Sequence, residues 1–253
     1  MCRVICSQRV PKSTARLVLR MPAAALTLAI ASMAQTTAPS LPFVRCISYG
    51  QVEKVDAPKG VSVRRSFSSH DARNFAYYRS AEIGLVAPKG WNCEGYSDSS
   101  GWGMFLSPEP IKGEPRWPNF KGPAIDLHHI SGGGGFGSYQ IAEAISRVFP
   151  AFRAWAVRSM RGFDTRLPSG PYPTDRLSYR SSRVVEFETP PQADGLSNAF
   201  SRMIPNDKPT YGAAILIGDP PEDLILLSIR LPNELQSLLP LIIKDIEQHR
   251  GEN

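Results

Sequence analysis

Between Asp126 and Ser138 the chain reads DLHHISGGGGFGS, placing one carboxylate, two imidazoles, two hydroxyls and five glycines within thirteen residues. The apolar residues before the glycines favour an extended strand. Side chains then alternate, so Asp126 and His128 share one face while His129 lies on the other. A carboxylate beside an imidazole fixes its orientation and raises its basicity, which is half of an acid–base or nucleophilic site. Asp126 and His128 are therefore the candidate catalytic pair, with Ser131, Ser138, Tyr139 or His70 as possible third members. Histidines on opposite faces cannot ligate one metal. The four histidines, at 70, 128, 129 and 249, show no ligand spacing, so no metal is expected.

The glycines suggest a different chemistry. A glycine-rich turn that feeds a helix presents free N–H groups and the positive end of the helix dipole to an anion. Gly133, Gly134, Gly135, Gly137 and Ser138 are the candidate anion-binding residues. No Walker lysine follows, and the run lacks the spacing of a dinucleotide fingerprint, so no nucleotide cofactor is expected. The nucleophile-elbow pattern is approached at Gly95-Tyr96-Ser97-Asp98-Ser99, but the fifth residue is serine and the segment reads as a strand entering a hairpin turn.

The elements that must position these residues are mostly strands. AEIGLVA, WNCEGYS, WGMFLS and AIDLHHI are successive strand patterns, with turns at Pro88-Lys89-Gly90 and Asp98-Ser99-Ser100-Gly101. Trp102, Met104 and Leu106 share one face. A helix is expected from Ser138, with Ile141, Ala144, Ile145 and Val148 on its buried stripe and Pro150 ending it. AFRAWAVRSM fits neither period cleanly and leans to strand. SRVVEFE is a further strand, GLSNAFSRMI a short helix, and YGAAILIG with DLILLSIRL a hairpin. A terminal helix is expected to be capped by Asn233, with Pro240 in its first turn. Residues 107–123 and 166–180 read as proline-rich loops and 35–45 as a polar leader. The fold class is α+β: a single domain with an antiparallel or mixed sheet built of hairpins and three to four helices.

Composition bounds the setting. The chain has 253 residues, 42% hydrophobic, with a formal net charge of +6. That charge lies at the start: Arg3, Arg9, Lys12, Arg16 and Arg20 precede the apolar run MPAAALTLAIASMA, and no acidic residue occurs before Glu53. The pattern is that of a secretory signal over residues 1–34, since its apolar stretch is about 11 residues against the roughly 20 that span a bilayer. Cleavage after Ala34 leaves 24 basic residues against 23 acidic ones. Such a balance recruits no nucleic acid, and no later apolar run suits a transmembrane anchor. Cys46 and Cys93 are then the two remaining cysteines and read as one disulfide, as an oxidising compartment permits.

A periplasmic or extracellular location follows. Arg147, Arg153, Arg158, Arg161 and Arg166 form a basic cluster suited to an anionic envelope polymer or a small anionic ligand, and Trp117 is a candidate sugar platform. The expected function is a non-catalytic, envelope-associated or ligand-binding protein with no cofactor. A hydrolase built on Asp126 and His128 is the alternative.

Overall fold

In the computed structural model, the described residues are 38–50, 54–111, 120–133, 135–161, 163 and 166–249, and all fall in one compact unit. The proposed signal, Gly134 and Trp117 lie outside them. Strands β1 (Ser40–Arg45), β2 (Ile47–Tyr49), β3 (Lys54–Val55), β4 (Ser62–Arg64), β5 (Phe75–Arg79) and β6 (Gly84–Pro88) come first. The hairpin strands β7 (Asn92–Asp98) and β8 (Gly101–Ser107) and the long β9 (Ala124–Ser131) follow. After helices α1 (Gly135–Val148) and α2 (Arg153–Ser159) come β10 (Arg176–Ser181), β11 (Val184–Thr189), the short helix α3 (Leu196–Ala199), β12 (Thr210–Ile217), β13 (Asp223–Arg230) and α4 (Leu239–His249).

Two sheets result. One has the order β4-β1-β5-β6, and the other runs β10-β11-β12-β13-β9-β8-β7-β2-β3. Neighbours are antiparallel except β1 with β5 and β2 with β7, so the sheets are mixed. Period-two alternation gives the larger sheet two apolar faces. One carries Met104, Leu106, Ile125, Leu127 and Ile225 and packs on Phe75, Tyr78 and Leu85 of the smaller sheet and on Ile242 and Ile246 of α4. The other carries Ile130, Val185, Leu216 and Leu226 and packs on Ile141, Ile145 and Val148 of α1 and Ala156 of α2. The chain passes from one sheet to the other at Cys46, which is disulfide-bonded to Cys93 on β7.

Several expectations are corrected. The core begins within the polar leader, not after it: Ser40 to Arg45 form β1 and Leu41 is fully buried. Pro42 is tolerated there because pairing with β5 begins only at Phe43. Residues 176–180, the end of the stretch assigned to a proline-rich loop, belong to β10 at the sheet edge. Residues 153–159 are helical, not a strand. Phe149, Phe152, Ala156 and Met160 recur at three- and four-residue spacing and bring one helical face onto the core. Helix α1 starts at Gly135, three residues before Ser138. Asn233 is no cap: Pro232 holds that position before a 3-10 turn, while the side-chain Oδ1 of Asn233 accepts from Lys208 Nζ. Pro240 does fall in the first turn of α4.

Candidate functional site

Asp126 and His128 do point the same way from β9, and both are buried, at 1% and 6% exposure. Register explains their neighbours. Glu94, Phe105 and Asp126 lie in one row across β7, β8 and β9, while Tyr96, Gly103 and His128 form the next. A side chain at Gly103 would meet the Tyr96 ring at 2.2 Å, so this glycine lets the tyrosine lie across β8 towards β9. The Tyr96 hydroxyl donates to Asp126 Oδ1 at 3.0 Å. Asp126 Oδ2 accepts from Ser201 Oγ at 2.9 Å and from the Arg202 backbone N–H at 2.7 Å.

Arg202 completes the cluster. Its Nη1 donates to Glu94 Oε1 at 2.9 Å and its guanidinium lies 3.7 Å from the Tyr96 ring centre. The segment carrying it is held by Phe120, whose N–H donates to the Arg202 carbonyl and whose carbonyl accepts from Ile204. Arg230 braces the same segment through the Ile204 carbonyl and Thr210 Oγ1. Burial raises the Glu94 pKa against the pull of Arg202, and raises that of Tyr96 well above its ordinary value with help from Asp126. Burial also lowers the His128 pKa, partly offset by Asp126.

The Asp126 carboxylate is thus engaged by three donors, none of them His128. Nδ1 of His128 faces the Phe200 carbonyl at 3.4 Å, and its Nε2 is buried without a hydrogen-bond partner. Of the residues weighed as third members, His70 is on the surface with Arg73, and Tyr139 packs among the residues around α1. Ser131 and Ser138 belong to the glycine turn.

On the opposite face of β9, His129 meets the edge of Trp102 at 4.6 Å between ring centres. Its Nε2 lies 3.4 Å from Asp223 Oδ2, a carboxylate partner in place of the backbone carbonyl that a core histidine ordinarily finds. Burial lowers its pKa and Asp223 opposes that shift.

Beyond His129 the glycine turn divides into two kinds of position. Gly132 donates its N–H to the Glu222 carbonyl at 2.8 Å, with Asp223 Oδ1 at 3.3 Å, and Ser138 Oγ donates back to the Gly132 carbonyl at 2.7 Å. Added β-carbons at Gly132 and Gly137 would sit 2.4 Å and 2.0 Å from the backbone oxygens of Glu222 and Ser131, whereas Gly133 would meet only the Ser131 hydroxyl at 3.8 Å and Gly135 nothing within 4 Å. Gly133 and Gly135 instead line a cleft of about 620 Å³. Its apolar wall is Ile141, Trp155, Met160 and Phe163, and Pro220 to Asp223 form the facing side. No lysine, arginine or histidine is among the described residues that line it. A second cleft, near 490 Å³, shares Ser131 and Gly133 with the first and is lined also by Asp98 and Trp102. A third, near 550 Å³, sits between α4 and the β10–β12 edge. Neither Asp126 nor His128 lines any of the three.

The basic cluster is split. Arg147 pairs with Glu143 at 3.5 Å and stacks on Tyr172, and Arg153 Nη1 donates to the Ser146 and Pro168 carbonyls. Arg158, Arg161 and Arg166 are exposed. Among the described residues, no group of three or more His, Cys, Asp or Glu is placed to hold a metal ion, and no helix is long and apolar enough to cross a membrane. The chain matches no protein-family model, no curated protein and no solved structure.

The shared face of Glu94 and Tyr96 was legible, since they alternate on WNCEGYS just as Asp126 and His128 do on theirs, but nothing in the sequence marked the two faces as neighbours. Ser201, Arg202, Trp155 and Asp223 carry no such mark, because loop geometry and a distant hairpin bring them in.

Proposed function

We propose that the protein is an exported, non-catalytic binding protein whose small-molecule site is the cleft beside the glycine turn. The carrying observation is the cleft itself: about 620 Å³, within the range of small-molecule sites, walled by Trp155, Met160 and Phe163 and floored by glycine backbone. Phe163 is 55% exposed, an apolar cost that a ligand covering it would remove. Export is supported by the signal-like first 34 residues and by the Cys46–Cys93 disulfide. Binding without catalysis is supported by the three donors that engage Asp126 and by the burial of His128 beneath the segment after α3.

The test is a thermal-shift screen of small apolar and amphipathic compounds against the purified protein and a Gly135→Phe variant. The new ring enters the cleft from a position whose β-carbon meets nothing within 4 Å. Hits that stabilise the parent and lose their effect in the variant support the site. Hits unaffected by the filled cleft would place binding elsewhere and overturn the reading.

A further inference from the structure

The character of the cleft depends on which charges face it. The N-terminus of α1 favours an anion, but its effect amounts to roughly half a positive charge. Against it stand two carboxylates, Glu222 and Asp223, on the facing side. Formal charge therefore favours a cation by about one and a half units. Two neighbouring basic groups have partners of their own. Arg183, near the β12–β13 turn, bonds Asp219 at 3.1 Å and the Gly218 carbonyl, and its guanidinium lies over Phe152 at 4.6 Å. His129 touches Asp223 at 3.4 Å, and burial lowers its pKa against the pull of that carboxylate. Aromatic rings attract cations through their quadrupole, and Trp155 and Phe163 are both among the lining residues. Carboxylates on one side and aromatic rings on the other are the two halves of an ammonium-binding site.

We propose that the glycine-turn cleft takes an organic ammonium ion carrying an apolar body, its charged head against Asp223 and Glu222 and its body on Trp155, Met160 and Phe163. The assignment rests on the cleft being a ligand site. It gives the anion-binding features of the turn a different role: the Gly132 N–H steers the Asp223 carboxylate, at 3.3 Å, in place of an external anion.

Three probes matched in their aromatic body separate the possibilities: 2-phenylethylammonium, 3-phenylpropanol and 3-phenylpropionate, titrated calorimetrically into the purified protein at pH 7.5 and low salt. The ammonium should bind at least about tenfold more tightly than the alcohol, and the carboxylate more weakly than either. Glu222→Gln, at an exposed position, should cut the ammonium preference severalfold and leave the alcohol unchanged. Asp223→Asn should cut it further. If all three probes bind alike and Gly135→Phe abolishes them, the cleft stands as a ligand site and the cation assignment falls. If no probe binds, or if binding survives Gly135→Phe, the site reading falls and the ammonium with it.

Discussion

Replacing Asp126 separates a structural buried carboxylate from a catalytic one. The carboxylate is 1% exposed and accepts from the Tyr96 hydroxyl, the Ser201 hydroxyl and the Arg202 N–H. Asp126→Ala strands all three donors, and an unsatisfied buried donor costs about 1–3 kcal/mol. Ser201 and Tyr96 are only partly buried, so water relieves some of this. Losing the charge also eases the Glu94 carboxylate, which Asp126 disfavours. The expected loss is about 3–5 kcal/mol. Asp126→Asn keeps the shape and one carbonyl oxygen for Ser201 and Arg202. Its amide can donate to Tyr96, whose hydroxyl reverses, so about 2 kcal/mol is expected as charge-assisted bonds become neutral. Tyr96→Phe leaves the carboxylate two donors and should cost about 1 kcal/mol. The double variant Asp126→Ala with Tyr96→Phe should cost less than the sum, because the phenol is no longer there to be stranded. Urea denaturation at pH 7, followed by circular dichroism, measures all four. An Asp126→Ala protein within about 1 kcal/mol of the parent would refute the network account.

Acidification should destabilise the fold. Burial lowers the pKa of His128 and His129 below the ordinary 6.5, so near and below that pH the unfolded chain binds protons that the folded one does not, and stability falls as pH drops from 7.5 towards 5.5. Glu94, with a raised folded pKa, opposes this at lower pH, where the folded state holds the extra proton. His128→Gln should flatten the dependence of the urea midpoint on pH, and an unchanged slope would remove His128 as a cause. Loss of the disulfide through Cys46→Ser and Cys93→Ser should cost about 4 kcal/mol, because the bridge spans 47 residues of sequence, and the midpoint difference under non-reducing conditions reads it. Gly137→Ala, whose new β-carbon would lie 2.0 Å from the Ser131 carbonyl oxygen, should lose several kcal/mol or fail to fold. Gly135→Ala should gain about 0.5–1 kcal/mol in thermal or urea melts, and equal effects at the two positions would disprove the division of the glycine run.

Period-two patterns carried most of the architecture. The hairpins β7–β8 and β12–β13, the α+β class and the Cys46–Cys93 bridge were all legible, because alternation is a local signal and two cysteines leave one pairing. The order of the strands was not. Parallel pairing of β1 with β5 and of β2 with β7 depends on where Cys46 turns the chain from one sheet into the other, and nothing around Cys46 encodes that turn. Residues 153–159 misled because Val157 faces solvent, which breaks the apparent stripe. At the site, the facing of Asp126 and His128 followed from strand geometry alone. The identity of their partners did not, since Arg202 lies 76 residues further on, in a loop placed by Phe120 and Arg230.

The adjacent histidines and the glycine run acquire their meaning from where β9 ends. Ser131 pairs with Asp223, so β9 ends where β13 begins and the chain must leave the sheet there. The close approaches fall on Gly132 and Gly137, where backbone oxygens of Glu222 and Ser131 leave no room for a β-carbon. That contact anchors α1 to the sheet. With both ends of the turn fixed, Gly133 and Gly135 carry no packing and open a hollow that α2 and the Pro220–Pro221 turn enclose. On the even face of β9, Asp126 holds its buried network with Tyr96, Ser201 and Arg202. His129, on the odd face, meets the carboxylate that borders the hollow. Binding at the cleft would therefore be felt by His129 through Asp223 and not by His128. A ligand-induced shift confined to the His129 imidazole in a proton–nitrogen NMR spectrum is the expected sign, and a shift at His128 alone would break the link between strand face and site.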